Sequence, residues 1–118
     1  MKFFIPELPP GLNGDKGLIR MHFHAYRKVK EKWQWMLREA VGTQKAPDPC
    51  TIWVKRLYAS QPMDIDNAYS SMKVPLDAMR AVGIIPNDDP SCVQGIQLFQ
   101  QKVATKKEQG TWFVIDEA

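Results

Sequence analysis

Cysteine is scarce in this chain. Its two copies, Cys50 and Cys92, stand far apart and form no CxxC pair, which argues against both a structural zinc and a disulfide framework. Both thiols are expected reduced and partly buried. Long apolar runs are missing as well. No stretch is long enough to cross a bilayer, so no membrane partner is expected. Before Pro6 the N-terminus offers only Phe3-Phe4-Ile5, far short of the apolar region of an export signal, and the expected location is the cytoplasm. Charge of one sign is in small excess. A net charge of +3 leans towards polyanions without identifying a nucleic-acid binder, and the lean doubles if the chain dimerises. Internal repeats and low-complexity tracts are absent too. What remains is a chain of 118 residues, 44% of them hydrophobic, which suits one compact domain over 1-118 with one core and room for one site.

Lys2-Phe3-Phe4-Ile5 suits a short strand, after which Pro6, Pro9, Pro10 and Gly11 force a loop that continues to Gly17. From Ala25 onwards, Val29, Trp33, Leu37 and Val41 recur at the spacing of one helix face, and Gly42 is a natural stop. The other faces carry Arg27, Lys28, Lys30, Lys32 and Arg38 against Glu31 and Glu39. After Pro47-Asp48-Pro49, the β-branched and aromatic stretch from Cys50 to Tyr58 reads as a strand buried for much of its length. Ala68, Met72, Leu76, Met79 and Val82 then predict a second helix from about Asn67 to Val82, closed by Gly83. Pro75 removes a backbone donor inside that run, so a kink or two consecutive helical pieces meeting near Lys73 are expected. Val93 to Val103 and Thr111 to Ile115 read as strands flanking a hairpin turn at Lys106-Lys107-Glu108-Gln109-Gly110. The sum is an α/β domain of the α+β type, a mixed sheet of about four strands with two main helices in the order β-α-β-α-β-β.

The most informative local pattern is Asp64-Ile65-Asp66-Asn67, followed 23 positions after Asp66 by Asp89 within Pro86-Asn87-Asp88-Asp89-Pro90. Uncompensated acids repel one another unless a cation stands between them. If Asp64 and Asp66 lie in extended chain leaving the central strand, both side chains share a face with Cα atoms roughly 7 Å apart. Asp88 or Asp89, preceding the next strand, is then expected to arrive at the same end of the sheet across the helical crossover. Oxygen ligands without clustered His or Cys favour Mg²⁺, with Mn²⁺ as substitute, over zinc. Such an ion activates water and neutralises charge on a phosphoryl group, which makes phosphodiester hydrolysis the natural reaction class. Each acid also has a plainer role open to it: Asp66 as a helix cap, Asp88 or Asp89 as turn residues.

Taken in order, Leu8-Pro9-Pro10 with Asn13, Asp64-Ile65-Asp66-Asn67, Lys73, Asp77-Ala78-Met79, Gly83 and Asp88-Asp89 resemble the RusA family of Holliday junction resolvases. The resemblance covers most of the chain and is strongest from Asp64 to Val93. It implies a small homodimeric endonuclease of the kind common in prophages, which uses Mg²⁺ to nick four-way DNA junctions in pairs during recombination and repair. It further implies that Asp64, Asp66 and Asp89 hold the metal, with Asp88 as alternative to Asp89, and that Lys73 contacts the scissile phosphate. Two departures stand out. The step from Asn67 to Lys73 is longer than in the familiar members and is followed by Pro75. Ser60-Gln61-Pro62-Met63 also replaces an arginine-rich segment.

Phosphate contacts must then come from elsewhere. Candidates are Asn13, Lys16 and Arg20 in the N-terminal loop, Lys28 on the first helix, Lys55 and Arg56 on the central strand, and Asn67 beside Lys73. Such residues grip the backbone without reading sequence. His22 and His24 alternate as if on one face of an extended segment and suit surface or packing roles better than that of a catalytic base. Trp33, Trp35, Trp53 and Trp112 suit core or dimer contacts, and Met63, Met72 and Met79 suit the core. The alternative to an endonuclease is a non-catalytic junction-binding protein whose metal site has decayed through the longer step and Pro75. A nucleotide-sugar role for DxD would need a nucleotide-binding domain for which this chain has little room.

Overall fold

The computed structural model describes residues 1–13 and 17–118, with the side chain of Arg20 left outside the description. Four strands and three helices follow one another: β1 (Lys2–Ile5), α1 (Phe23–Val41), β2 (Cys50–Tyr58), α2 (Ile65–Ser70), α3 (Lys73–Val82), β3 (Val93–Lys102) and β4 (Gly110–Glu117). Short 3-10 turns stand at Leu18–Arg20 and Lys106–Glu108. The α+β order expected from the sequence is the observed one, with the second helix delivered as two pieces.

That break has a local cause. Ser71 and Met72 separate α2 from α3, and Pro75 falls on the third residue of α3, where a backbone N–H has no intrahelical partner to lose. Gly83 ends α3 in the left-handed region at φ 85°, a conformation that costs a residue with a Cβ but not glycine.

The sheet runs β1-β4-β2-β3. β4 lies antiparallel to both β1 and β2, while β2 and β3 are parallel and joined across α2 and α3. The expected β3–β4 hairpin is therefore absent. The chain from Val103 to Gln109 passes over the end of β2, and β4 inserts between β1 and β2, pairing Val54 with Phe113 and Phe3 with Phe113 across its two edges. There, Phe113 and Ile115 are both fully enclosed. In that position both edges of the apolar strand are paired.

Helices cover one face only. Trp33, Met36, Leu37 and Val41 from α1 and Val74, Ala78 and Met79 from α3 pack on Ile52 and Val54 of β2, Phe113 and Ile115 of β4, and Phe3 and Ile5 of β1. On β2 the burial alternates, Ile52 and Val54 inward, Trp53 and Lys55 outward, as period-two geometry requires. Met72 and Met79 are in the core as expected, whereas Met63 is half-buried outside it.

Candidate functional site

The chain leaves β2 at Tyr58 and reaches α2 through a connection that one side chain holds in place. Gln100, on β3, accepts from the Met63 N–H at Oε1 (2.9 Å) and donates from Nε2 to the Met63 carbonyl (2.8 Å). This imitates one rung of a sheet ladder and sets the residue immediately before Asp64. Behind Gln100 stands Arg56, whose Nη1 donates to Gln100 Oε1 (3.1 Å) and whose Nη2 donates to the Pro9 carbonyl (3.5 Å). Arg56 is 3% exposed. It does not reach solvent as the proposed phosphate contact would; it sits on the covered face of β2 and ties the N-terminal proline loop to the segment carrying the acids. Burial lowers its pKa from the ordinary arginine value.

Asp64 is the residue preceding the first turn of α2, at φ −58° and ψ 150°, with no side-chain capping bond, and Asp66 lies within that turn. The extended geometry expected for the pair is thus replaced by a helix start, because α2 begins already at Ile65. Both carboxylates are exposed, and Asp66 Oδ1 accepts from the Asn67 N–H (2.9 Å). Asn67 in turn receives the N-terminal loop: its Oδ1 accepts from the Asn13 N–H (3.3 Å) and from the Ser70 hydroxyl (3.2 Å), while Ser70 Oγ accepts from the Leu12 N–H (3.5 Å). The loop comes so close that a Cβ on Gly11 would lie 2.3 Å from Asn67 Oδ1. Asn13 and Asn67, both proposed as DNA contacts, are brought together, and the Asn67 side-chain oxygen is spent on holding the loop.

Asp88 and Asp89 do not join them. β2 and β3 are parallel, with Cys50 opposite Val93, so a crossover that starts beyond the C-terminal end of β2 must return to the N-terminal end of β3. Asp89 is anchored there: its backbone carbonyl accepts from the Val93 N–H (2.9 Å). Asp64 follows Met63, which is held by Gln100 near the other end of β3. Seven strand residues, on the order of 20 Å, separate the two levels. The expectation that the third acid arrives at the same end of the sheet is corrected by this topology. Among the described residues no three of His, Cys, Asp and Glu stand together as a ligand set. The donors themselves suit a hard cation, being exposed carboxylate oxygens, but among the described residues of one chain Asp64 and Asp66 are the acids at the start of α2.

The turn at residues 87–91 is internally satisfied. Asp89 Oδ1 accepts from the Ser91 N–H (2.9 Å) and from the Ser91 hydroxyl, and Oδ2 accepts from Asn87 Nδ2 (2.9 Å). The Ser91 bonds hold the Asp89 carboxyl below the usual carboxylate range. Asp88 stands 3.8 Å from Arg80. Lys73, the first residue of α3, is exposed and its Nζ lies 3.4 Å from Asp77 Oδ2, one helical turn on.

The remaining candidates scatter. Lys28 is exposed on α1, and Lys55 is exposed on the sheet face away from the helices. Lys16 and the side chain of Arg20 lie outside the described residues. His22 and His24 do not share an extended segment: His22 caps α1, its Nδ1 accepting from the His24 N–H (3.3 Å), and the rings stack at 5.3 Å. Both thiols are free, Cys50 buried and Cys92 half-buried, and burial pushes the Cys50 thiol up, with Asp48 and Cys92 adding to it. Sequence reasoning missed Gln100 and Ser91, because a polar residue on an exposed-looking strand or turn carries no periodic signal.

In comparison with known proteins, the chain matches no family model, and no curated protein matches it.

Proposed function

We propose that the protein is a Mg²⁺-dependent endodeoxyribonuclease that resolves Holliday junctions or other branched DNA by paired phosphodiester hydrolysis. One observation carries this reading. Two exposed carboxylates, Asp64 and Asp66, stand at the start of α2 on a connection braced by Gln100, Arg56 and the Asn67-bound N-terminal loop. Such a brace holds two oxygen donors where a hard cation can share them with a phosphate. The ion, Mg²⁺ or its substitute Mn²⁺, would supply an activated water and neutralise the charge developing on the phosphoryl group.

Asp64 and Asp66 bind the ion; Asp89 is the third acid that the resemblance to the RusA family implies, with Asp88 as alternative. Within one chain Asp89 stands a strand-length away, so in this reading it completes the pair from a second copy. Two such sites in a homodimer also account for symmetric nicks, which a single site cannot place on two strands of like polarity. Lys73 contacts the scissile phosphate, exchanging Asp77 for it. Asn13, Lys16, Arg20, Lys28 and Lys55 are the candidates for backbone contacts, and binding through them weakens with salt.

The separation of the acids within one chain favours a second reading, a non-catalytic junction-binding protein with a decayed metal site. One assay separates the two. A labelled four-way junction and a linear duplex are incubated with wild type and Asp66→Asn in Mg²⁺, in Mn²⁺ and in chelator. The nuclease gives metal-dependent paired nicks confined to the junction, and the substitution abolishes them while leaving junction binding intact. Binding without nicking in either metal establishes the second reading instead.

A further inference from the structure

The end of the sheet at which Asp64 and Asp66 stand also carries lysines from a different connection. Tyr58 closes β2 opposite Lys102 of β3, and beyond them the segments 59–64 and 103–109 start side by side. The Val103 N–H donates to the Tyr58 carbonyl (2.8 Å), the Ala59 N–H to Gln109 Oε1 (2.9 Å), and the Met63 N–H to Gln100 Oε1 (2.9 Å). One segment leads to the acids. The other holds Lys106 and Lys107 on a 3-10 turn that Thr105 and Glu108 close with a capping box. Lys102 lies two residues beyond Gln100, so by strand parity it shares the face from which Gln100 grips Met63, roughly 7 Å further along. Lys102, Lys106 and Lys107 are all exposed, and no carboxylate among the described residues stands within ion-pair distance of them.

The opposite end of the sheet is acidic. Asp48 precedes β2, Asp88 and Asp89 precede β3, and Asp116 and Glu117 lie on β4 opposite Thr51 and Cys50. A net charge of +3 therefore conceals a separation of sign along the strands, with one end that repels a polyanion and one end where unpaired lysines can meet it.

We infer that Lys102, Lys106 and Lys107 form a grip for the sugar–phosphate backbone of a nucleic acid and hold it beside Asp64 and Asp66. The acids themselves require such a grip, since two exposed carboxylates repel a phosphate that approaches them. Their nearer neighbours do not provide it. Arg56 is buried, Lys73 stands beside Asp77, and Ser60-Gln61-Pro62-Met63 contains no cation. The β3–β4 connection fills that gap from another part of the chain. Lysine suits the task, because its ammonium group is a compact point charge that binds phosphate without a fixed geometry and without reading bases. A lipid surface is the poorer fit for this turn. Stable binding there needs buried apolar area as well as charge, and residues 102–109 present no large exposed hydrophobic side chain.

The choice of polyanion rests on the reading proposed above, but the grip involves neither metal nor cleavage and is therefore tested in chelator. The fluorescence anisotropy of a labelled four-way junction and of a linear duplex is titrated with protein between about 50 and 200 mM salt. Each of Lys102→Ala, Lys106→Ala and Lys107→Ala is expected to flatten the slope of log affinity against log salt by about 0.9, and the triple variant by nearly three times that. Circular dichroism checks that the variants keep the fold. Arginine at the three positions is expected to restore the slope, because the charges return. Lys45→Ala, near the acidic end, is expected to leave it unchanged. A triple variant with the wild-type slope overturns the inference, and so does a wild type that binds neither DNA. Loss of binding to phosphatidylserine vesicles in the triple variant, with no DNA binding by wild type, assigns the lysines to a membrane and likewise overturns it. Nicking is read separately in Mg²⁺. Binding through the three lysines without nicking removes the nuclease reading and keeps the grip, whereas metal-dependent nicking with an unaltered triple variant keeps the nuclease and removes the grip.

Discussion

Arg56 is a costly side chain to bury. It is buried without a carboxylate within ion-pair distance among the described residues, and its Nε has no hydrogen-bond partner. A buried cation is tolerated only where its geometry is over-determined. The planar fork meets that demand by spanning Gln100 and Pro9, which a lysine cannot do. Arg56→Lys is therefore expected to lower stability by about 1–3 kcal/mol, measured by urea denaturation. A second residue-scale effect belongs to Asp89. Because its folded carboxyl titrates below the ordinary value, its Ser91 bonds stabilise the protein above the usual carboxylate range. That stabilisation is lost as the pH falls through the folded value. Ser91→Ala is expected to move the Asp89 titration upward, read from carboxyl carbon shifts in an NMR pH series. At this scale the sequence was only partly legible. The acids and Asn67 were conspicuous as a motif, whereas Arg56 looked like a surface cation because parity along β2 does not say which face is covered.

Among the elements, the α2–α3 pair shows how a pattern and a breaker combine. The apolar steps from Ala68 to Val82 persist through the break, so both pieces bury the same side, with Ala68, Met72, Val74 and Met79 all enclosed. Pro75 is absorbed because it falls in the first turn of α3 rather than in a continuous helix. Gly83 does more. It turns the chain at φ 85° so that the N–H groups of Ile84 and Ile85 can reach the Met79 carbonyl and both isoleucines can enter the core. Gly83→Ala is expected to cost about 1 kcal/mol through the Cβ penalty of that conformation, seen as a lower denaturation midpoint with an unchanged slope. Helix periods and their stops were readable because both are local. The start of α2 at Ile65 was not, since the side-chain clamp from Gln100 that shapes its approach comes from a strand more than thirty residues later.

For the molecule as a whole, the parallel pairing of β2 with β3 decides which acids can stand together. It puts Asp64 and Asp66 at one end of the sheet and Asp88 and Asp89 at the other. If the protein is the proposed endonuclease and two copies share its sites, Asp66→Asn and Asp89→Asn are each expected to be inactive alone, and mixing the two subunits is expected to restore nicking. Each mixed dimer then holds one site with both substitutions and one with neither. Sites built within single chains would each retain one substitution, and the mixture would stay inactive. The readout is single-strand nicking of a labelled junction, which distinguishes one intact site from two.

The sequence by itself determined the elements, their order and the identity of the acids, because helix periods, strand runs, glycine stops and a DxD motif are written within a few residues of one another. Only the tertiary structure decided that β4 enters between β1 and β2 instead of folding back on β3, that Arg56 faces inward, and that the acids part into two groups. These outcomes depend on which apolar faces meet across the sheet, and burial is shared between segments that no local pattern connects.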